Sequence, residues 1–119
     1  MKILVVEDDR KVAGFLQEGL REEGFDVEAA HEGNAAFQRA ASGQFDLVIL
    51  DYMLPNRSGP DIAAGLRQAG VTTRILMLTA RDDPRDVKVA RAAGVDAYLT
   101  KPFRFDDLLD RVKALLPSA

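Results

Sequence analysis

Polar side chains that could do chemistry stand at the ends of short apolar runs in this sequence. They are Glu7, Asp8, Asp51, Thr79 and Lys101. Carboxylates are ligands for hard cations such as Mg²⁺, whereas a hydroxyl and an ammonium group donate hydrogen bonds to an anion. The five residues supply both kinds of group. The combination favours a site that binds phosphate together with magnesium.

Taken singly, each of these residues also has an ordinary structural role. An Asp or Glu just after a strand is often a turn residue or the N-cap of the next helix, and we assign that role to Asp9. Thr79 alone would be a strand-end residue, and Lys101 alone a solvated lysine. The functional interpretation depends on their joint placement at the ends of different runs. His31 has no serine, cysteine or second histidine beside it, and we give it no catalytic role.

Apolar runs alternate with segments of helical periodicity, the pattern of βα units that build a parallel sheet. The runs predict strands over residues 3–6, 25–29, 45–50, 75–78 and 97–100. The segments between them predict helices over residues 12–20, 36–41, 58–69, 82–93 and 105–116. Ser58 and Pro60 suit the first turn of the third helix, and the fourth, rich in alanine and charge, should be the least firmly packed. Because ligands of open α/β folds bind at the carboxyl ends of the strands, the polar residues above should meet there.

The composition bounds the class of protein. The chain has 119 residues, of which 47% are apolar and 29% charged, as in one soluble globular domain. The net charge of −3 gives no electrostatic reason to expect direct contact with nucleic acid or an anionic membrane. The absence of cysteine excludes disulfides and thiolate chemistry. The apolar runs are too short for a membrane span or a signal peptide, so we expect a cytoplasmic protein.

Motifs spread over the whole chain resemble one family. They are ILVVEDD at the first strand, DLVILDYMLPNRSG around Asp51, ILMLTAR at the fourth strand and AYLTKPF at the fifth. On these motifs the sequence resembles the response-regulator receiver domains of two-component signalling, and most of all the OmpR-like subfamily. The resemblance implies an α/β, flavodoxin-like doubly wound (βα)5 fold, with a five-stranded parallel sheet of order 2-1-3-4-5 and helices on both faces. It also implies that residues 1–119 form the receiver domain and that a C-terminal DNA-binding effector domain is absent from this chain.

The resemblance implies a chemical role for each residue of the polar set. Asp51 would accept a phosphoryl group from a partner sensor histidine kinase, and Thr79 and Lys101 would bind the phosphoryl oxygens. An aspartate is a poor nucleophile toward a dianionic phosphoryl group because like charges repel, so a cation that neutralises the developing charge is needed.

A divalent cation, Mg²⁺ or Mn²⁺, is therefore part of the expectation. By the same resemblance Asp8, Asp51 and the backbone carbonyl of Met53 would hold the cation, and Glu7 would reach it through water. Crowding the three carboxylates together without the cation is unfavourable, which should raise the pKa of at least one of them.

Further positions are assigned by the same resemblance. Thr79 and Tyr98 would form a switch that remodels the surface of the fourth helix, fifth strand and fifth helix. Met53 and Arg81 match two variable positions that tune loss of the phosphoryl group. The peptide bond before Pro102 would be cis, a geometry open to X-Pro bonds at small cost.

The dimer expected of OmpR-like receivers uses charged pairs on that same surface. Asp96, Asp107 and Arg111 match members of this set. Val87 stands where the subfamily usually has a basic residue, and Ala97 where it usually has an acidic one. We therefore expect a homodimer that is weaker than usual or differently arranged.

The leading hypothesis is a phosphoacceptor module that is not an enzyme and controls transcription. Three alternative functions are compared with it. A stand-alone regulator acting by protein–protein contact differs only in its output. An aspartate-based phosphatase would need a second aspartate where Met53 stands. A flavodoxin-like cofactor protein would need a phosphate cradle where the loop after the first strand is acidic. The sequence favours the phosphoacceptor, with DNA contacted only through a separate effector domain and no membrane contact.

Overall fold

Strands and helices alternate along the chain in a computed structural model that describes residues 1–117. The strands are β1 (Lys2–Val6), β2 (Asp26–Ala30), β3 (Leu47–Asp51), β4 (Arg74–Thr79) and β5 (Ala97–Thr100). The helices are α1 (Arg10–Glu22), α2 (Gly33–Ala41), α3 (Gly59–Gln68), α4 (Pro84–Ala92) and α5 (Phe105–Leu115). Every predicted strand and helix is present, with boundaries shifted by a few residues. Among the helices of the described residues, none has the length and apolarity needed to cross a lipid bilayer.

The strands form one parallel sheet in the order β2-β1-β3-β4-β5, which confirms the expected topology. Successive side chains of a strand point to opposite faces of the sheet. Val48 and Leu50 pack on one face in a cluster with residues of α2, α3 and α4, whereas Leu47 and Ile49 pack on the other with residues of α1 and α5. Helices thus cover both faces, and the strand order reverses between β1 and β3, where ligands bind in doubly wound folds.

The central strand β3 is buried along its whole length, including Asp51. The sequence predicted an apolar strand over residues 45–50 with Asp51 at its end. In the structure the strand begins two residues later, at Leu47, and Asp51 is its last residue, opposite Leu78 of β4 in the sheet. Each large apolar side chain of β3 stabilises the fold by about 1.5–3 kcal/mol when buried, so the strand holds Asp51 in a fixed register.

Two helices begin at the N-caps that the sequence indicated. The Asp9 carboxylate accepts hydrogen bonds from the backbone N–H groups of Lys11, at 2.9 Å, and Val12, at 3.3 Å, which confirms its structural role. The Ser58 hydroxyl accepts from the Asp61 N–H at 3.2 Å, with Pro60 in the first turn of α3. Such caps fix where each helix starts and hence how the preceding loop leaves the sheet.

The fourth helix is the least buried helix, as its composition predicted. Of the residues of α4, all of which are described, Ala90 alone is buried, and Val89 is 50% exposed. The residues of β5 are all half-buried. The α4–β5 side of the described fold is therefore less tightly packed than the sides formed by the other helices.

An arginine fixes the loops at the amino ends of β4 and β5. The Arg67 guanidinium donates to the carbonyl oxygens of Val71, Thr73 and Gly94 at 2.7–3.1 Å, and to the Asp96 carboxylate at 3.0 Å. Because Gly94 lies two residues after the end of α4, this network anchors the carboxyl end of that helix.

Gly59, the first residue of α3, packs tightly against the end of β3. A methyl group there would lie 2.9 Å from Met77 Cε, 3.0 Å from Tyr52 Cα and closer still to the Asp51 carbonyl oxygen. We predict that Gly59→Ala lowers the free energy of unfolding, measured in urea, by about 1–3 kcal/mol, since the backbone must shift to admit the methyl group.

The matched control for Gly59→Ala is Gly14→Ala in α1, where an added methyl group meets no atom within 4 Å. This change should raise the free energy of unfolding by about 0.5–1 kcal/mol through higher helix propensity. Equal stability of the two variants would contradict the close approach at Gly59.

Candidate functional site

The carboxyl ends of four strands bring the predicted site residues to one edge of the sheet. Glu7 follows β1, Asp51 ends β3, Thr79 ends β4 and Lys101 follows β5. Glu7 continues the pairing of β1, since its N–H donates to the Ala30 carbonyl of β2 at 3.1 Å. These backbone positions follow from strand pairing alone, so the site is as well fixed as the sheet.

Three carboxylates meet at this edge. Glu7, Asp8 and Asp51 each offer an oxygen within 4.8 Å of the others'. Glu7 is 3% and Asp51 7% exposed, whereas Asp8 lies in solvent. A hydrogen bond with Glu7 raises the pKa of Asp8, and partial desolvation and the Glu7 charge raise it further. This confirms the prediction that crowding raises at least one carboxyl pKa.

Lys101 provides the balancing positive charge. Its Nζ lies 2.8 Å from Glu7 Oε1 and 3.3 Å from Asp51 Oδ2. Burial by itself would lower the pKa of Lys101, but the hydrogen bond to Glu7 and the charges of Asp51 and Glu7 outweigh it and raise that pKa. The side chain is therefore an ammonium group that donates to two carboxylates. The peptide bond from Lys101 to Pro102 is cis, as expected.

Thr79 is connected to Tyr98 through the backbone of one residue. Thr79 is 1% exposed, and its hydroxyl accepts a hydrogen bond from the Arg81 N–H at 3.0 Å. The Tyr98 hydroxyl donates to the Arg81 carbonyl at 2.7 Å. Because the Thr79 oxygen is the acceptor in its bond, its own O–H remains available as a donor.

Met53 and Arg81 lie on loops that leave the ends of β3 and β4. The Met53 N–H donates to Asp51 Oδ1 at 3.4 Å, and its side chain is 55% exposed. The Arg81 guanidinium lies over the Tyr52 ring, 5.0 Å from its centroid, and pairs with Asp86 of α4 at 3.4 Å. Arg81 thus contacts both the residue after Asp51 and the first turn of α4.

Three contacts around the site leave no signal in the sequence. The Arg81 side chain gives no periodic signal for its partners Tyr52 and Asp86, which lie on two different elements. His31 Nδ1 lies 3.0 Å from the Glu7 carbonyl oxygen, a contact that the pairing of β1 with β2 brings about. Its partner is a backbone atom, and we give the imidazole no chemical role.

The residues that match the usual dimer surface are engaged within the chain to different degrees. Asp96 accepts from Arg67 at 3.0 Å, from the Ile75 N–H at 2.8 Å and from Arg74 at 3.4 Å. Arg111 donates to the Tyr98 carbonyl at 3.1 Å, and Asp107 is exposed.

Known proteins resemble the chain in sequence. The family model of the response regulator receiver domain matches residues 3–113. The transcriptional regulatory protein PcoR of Escherichia coli is 43% identical over 99% of this chain, and the response regulator protein PmrA of Pseudomonas aeruginosa is 46% identical over 97%. The match covers 52% of each of these relatives, so the chain spans about half of their length.

Solved structures share the fold. A Francisella response regulator 1452 receiver domain has a TM-score of 0.91 and 33% identity, over 96% of this chain and 94% of that one. The response regulator TrrA of Thermotoga maritima, in complex with Mg²⁺-BeF, has a TM-score of 0.87 and 38% identity, over 97% and 98% of the two chains. With the fold and the family model in agreement, the chain belongs to the response-regulator receiver domains, and its relatives are regulators of the OmpR-like kind.

Proposed function

We propose that this domain accepts a phosphoryl group on Asp51 from a sensor histidine kinase and passes the signal to a transcriptional output. The observation that carries the proposal is the Lys101 ammonium between the Glu7 and Asp51 carboxylates. These carboxylates lie at the ends of β1 and β3, where the strand order reverses. An ammonium in that place can donate to phosphoryl oxygens on Asp51 while Glu7 holds it in position.

Each residue of the site would have a separate role in the phosphoryl transfer. Asp51 supplies the oxygen that forms the new bond to phosphorus as the bond to the donor nitrogen breaks. Lys101 and the hydroxyl of Thr79 donate to the phosphoryl oxygens, and the Arg81 N–H orients that hydroxyl. The domain thus assists its own phosphorylation and dephosphorylation without turning over a separate substrate. Met53 and Arg81 would set how long the phosphoryl group stays.

The donor set fits a hard divalent cation, Mg²⁺ or Mn²⁺. Three carboxylates with oxygens within 4.8 Å of one another are the ligand type that such ions prefer. Asp8, Asp51 and the Met53 carbonyl would hold the ion, with Glu7 acting through water. When bound, the cation neutralises charge shared by the carboxylate and the phosphoryl group.

The proposed switch is the pair of hydrogen bonds that joins Thr79 and Tyr98 to Arg81. A shift of Thr79 toward a phosphoryl group on Asp51 would displace Arg81 and thereby change the partner of the Tyr98 hydroxyl. Since α4 contributes little to the core, the face formed by α4, β5 and α5 would adjust with it. We propose that this face controls a DNA-binding effector domain outside this chain, in the cytoplasm.

The test of the central proposal is intact mass after incubation with acetyl phosphate and magnesium. We predict that the unaltered protein gains one phosphoryl group and that Asp51→Ala gains none, because the attacking carboxylate is gone. The control is Asp46→Ala, which removes an exposed carboxylate just before the same strand and should leave the gain intact. No gain in the unaltered protein, or an equal gain in Asp51→Ala, would overturn the proposal.

Magnesium affinity should depend on pH through Asp8. Its pKa is raised above the ordinary value of 3.8, so the proton competes with the cation at a higher pH than it would for an unperturbed aspartate. As pH falls through this raised pKa, the rise in melting temperature produced by Mg²⁺ should shrink. Asp8→Asn should lower the affinity about tenfold or more and weaken this pH dependence, whereas Asp46→Asn should leave both unchanged. An unchanged Mg²⁺ effect in Asp8→Asn would exclude Asp8 as a ligand.

The homodimer through α4, β5 and α5 should be weak. Val87 and Ala97 carry no charge for it, and Asp96 is already paired with Arg67. We predict that sedimentation of the beryllofluoride-treated protein gives a weak or different dimer. Adding Val87→Lys and Ala97→Asp together should tighten association by about 1 kcal/mol or less for each pair restored. The control pair Val87→Ser and Ala97→Ser should not. A tight dimer of the unaltered protein would contradict the prediction.

A further inference from the structure

The loop that follows Asp51 is anchored at its base. We call residues 52–58, between β3 and α3, the acceptor loop. The Gly59 N–H donates to the Tyr52 carbonyl at 2.8 Å, which closes the loop where it leaves the sheet. Leu54 is half-buried against the core cluster on the α2–α3 face. These contacts fix both ends of the loop but not its outer part.

The outer part of the acceptor loop is bound to the start of α2. The Gly33 N–H donates to the Pro55 carbonyl at 2.9 Å, and the Asn56 side-chain amide donates to the Glu32 carboxylate. Asn56 has a φ of 73°, the one positive φ of a non-glycine residue within the described range. Asparagine tolerates this left-handed conformation better than most residues. Its side chain is therefore presented to Glu32 by an unusual backbone conformation.

Glu32 serves two elements at once. As the N-cap of α2 it accepts from the Ala35 N–H at 2.5 Å and the Asn34 N–H at 3.3 Å. The Asn56 amide and, next, the Ala35 N–H lower the pKa of Glu32, so the carboxylate stays ionised. A helix cap and a loop contact thus share one charged group.

The two segments approach each other too closely for ordinary side chains. A methyl group on Gly33 would lie 2.6 Å from Arg57 Cβ and 2.7 Å from its backbone nitrogen. The Arg57 guanidinium, in turn, lies 4.3 Å from the centroid of the Phe37 ring of α2. The contact therefore involves the backbone of both segments as well as the Glu32–Asn56 bond.

We propose that Glu32 and Asn56 are positioning residues that fix the acceptor loop and thereby place the Met53 carbonyl at the cation site. Met53 lies between the base of the loop at Tyr52 and its outer anchor at Pro55 and Asn56. Loss of the Glu32–Asn56 bond therefore removes one of the contacts that hold it and increases its mobility. The effect on the cation rests on the function proposed above. The ordering of the loop does not.

Asn56→Gly is the variant that isolates this contact. Glycine adopts the same positive φ without strain, and the Glu32 cap of α2 stays intact. The control is Asn34→Gly, the same substitution at an exposed residue of α2 whose backbone N–H alone contacts Glu32.

Two measurements on these variants test the proposal. In Asn56→Gly we expect exchange of the Gly33 and Arg57 amide hydrogens to speed up about tenfold. We also expect the Mg²⁺ dissociation constant, measured by NMR titration, to rise about tenfold, which is the smaller effect typical of losing a residue that orients a metal ligand. Asn34→Gly should change neither. Glu32→Ala added to Asn56→Gly should speed exchange at Arg57 no further, since the bond is already absent. Gly33 is left out of this comparison because it begins α2 and also responds to loss of the Glu32 cap.

The outcomes separate this proposal from the function proposed above. If amide exchange or Mg²⁺ binding in Asn56→Gly equals that in Asn34→Gly, the positioning role is wrong. If the unaltered protein neither binds Mg²⁺ nor takes a phosphoryl group, the proposed function fails. Amide exchange at Gly33 and Arg57 then decides by itself whether Glu32 and Asn56 order the loop.

Discussion

The Lys101 ammonium is what lets two buried carboxylates lie side by side at the end of a hydrophobic sheet. It lies 2.8 Å from Glu7 and 3.3 Å from Asp51, and both carboxylates are nearly removed from water. Without a positive partner, burial of these like charges would oppose folding of the very strands that carry them. The ion pairs join the ends of β1, β3 and β5, the last of which lies at the edge of the sheet. A single charge therefore connects the most buried strand to the least buried one.

The rest of the structure holds this arrangement in place with unequal firmness. The strands β1 and β3 are covered on both faces, and the cap of α3 and the close approach at Gly59 fix the chain as it leaves Asp51. On the other side, Thr79 and Tyr98 depend on hydrogen bonds to one residue, Arg81. The proposed phosphoryl transfer would require a nucleophile held in place and a group free to move, and this difference in packing is consistent with that requirement.

Much of this could be predicted from the sequence because it depends on local pattern. The apolar runs and the helical spacing predicted all the strands and helices, and Asp9 and Ser58 predicted helix starts. The sheet order came from the resemblance and not from periodicity, since alternating strands and helices fit several orders. The Arg67 network and the Glu32–Asn56 contact were not predicted. Both join different loops and helices of the fold, and such contacts leave no periodic signal in the sequence.

Uneven packing also has a consequence for how the molecule fluctuates. With Ala90 as its one buried residue among those described, α4 exposes little apolar surface when it detaches, so its local unfolding requires a small fraction of the global free energy. Arg67 restrains Gly94 just beyond the carboxyl end of the helix, while the ion pair of Asp86 with Arg81 lies near its amino end. Opening should therefore start at the amino end, as a hinged and partial event. Such an opening would begin next to Arg81, the residue to which both Thr79 and Tyr98 are hydrogen-bonded.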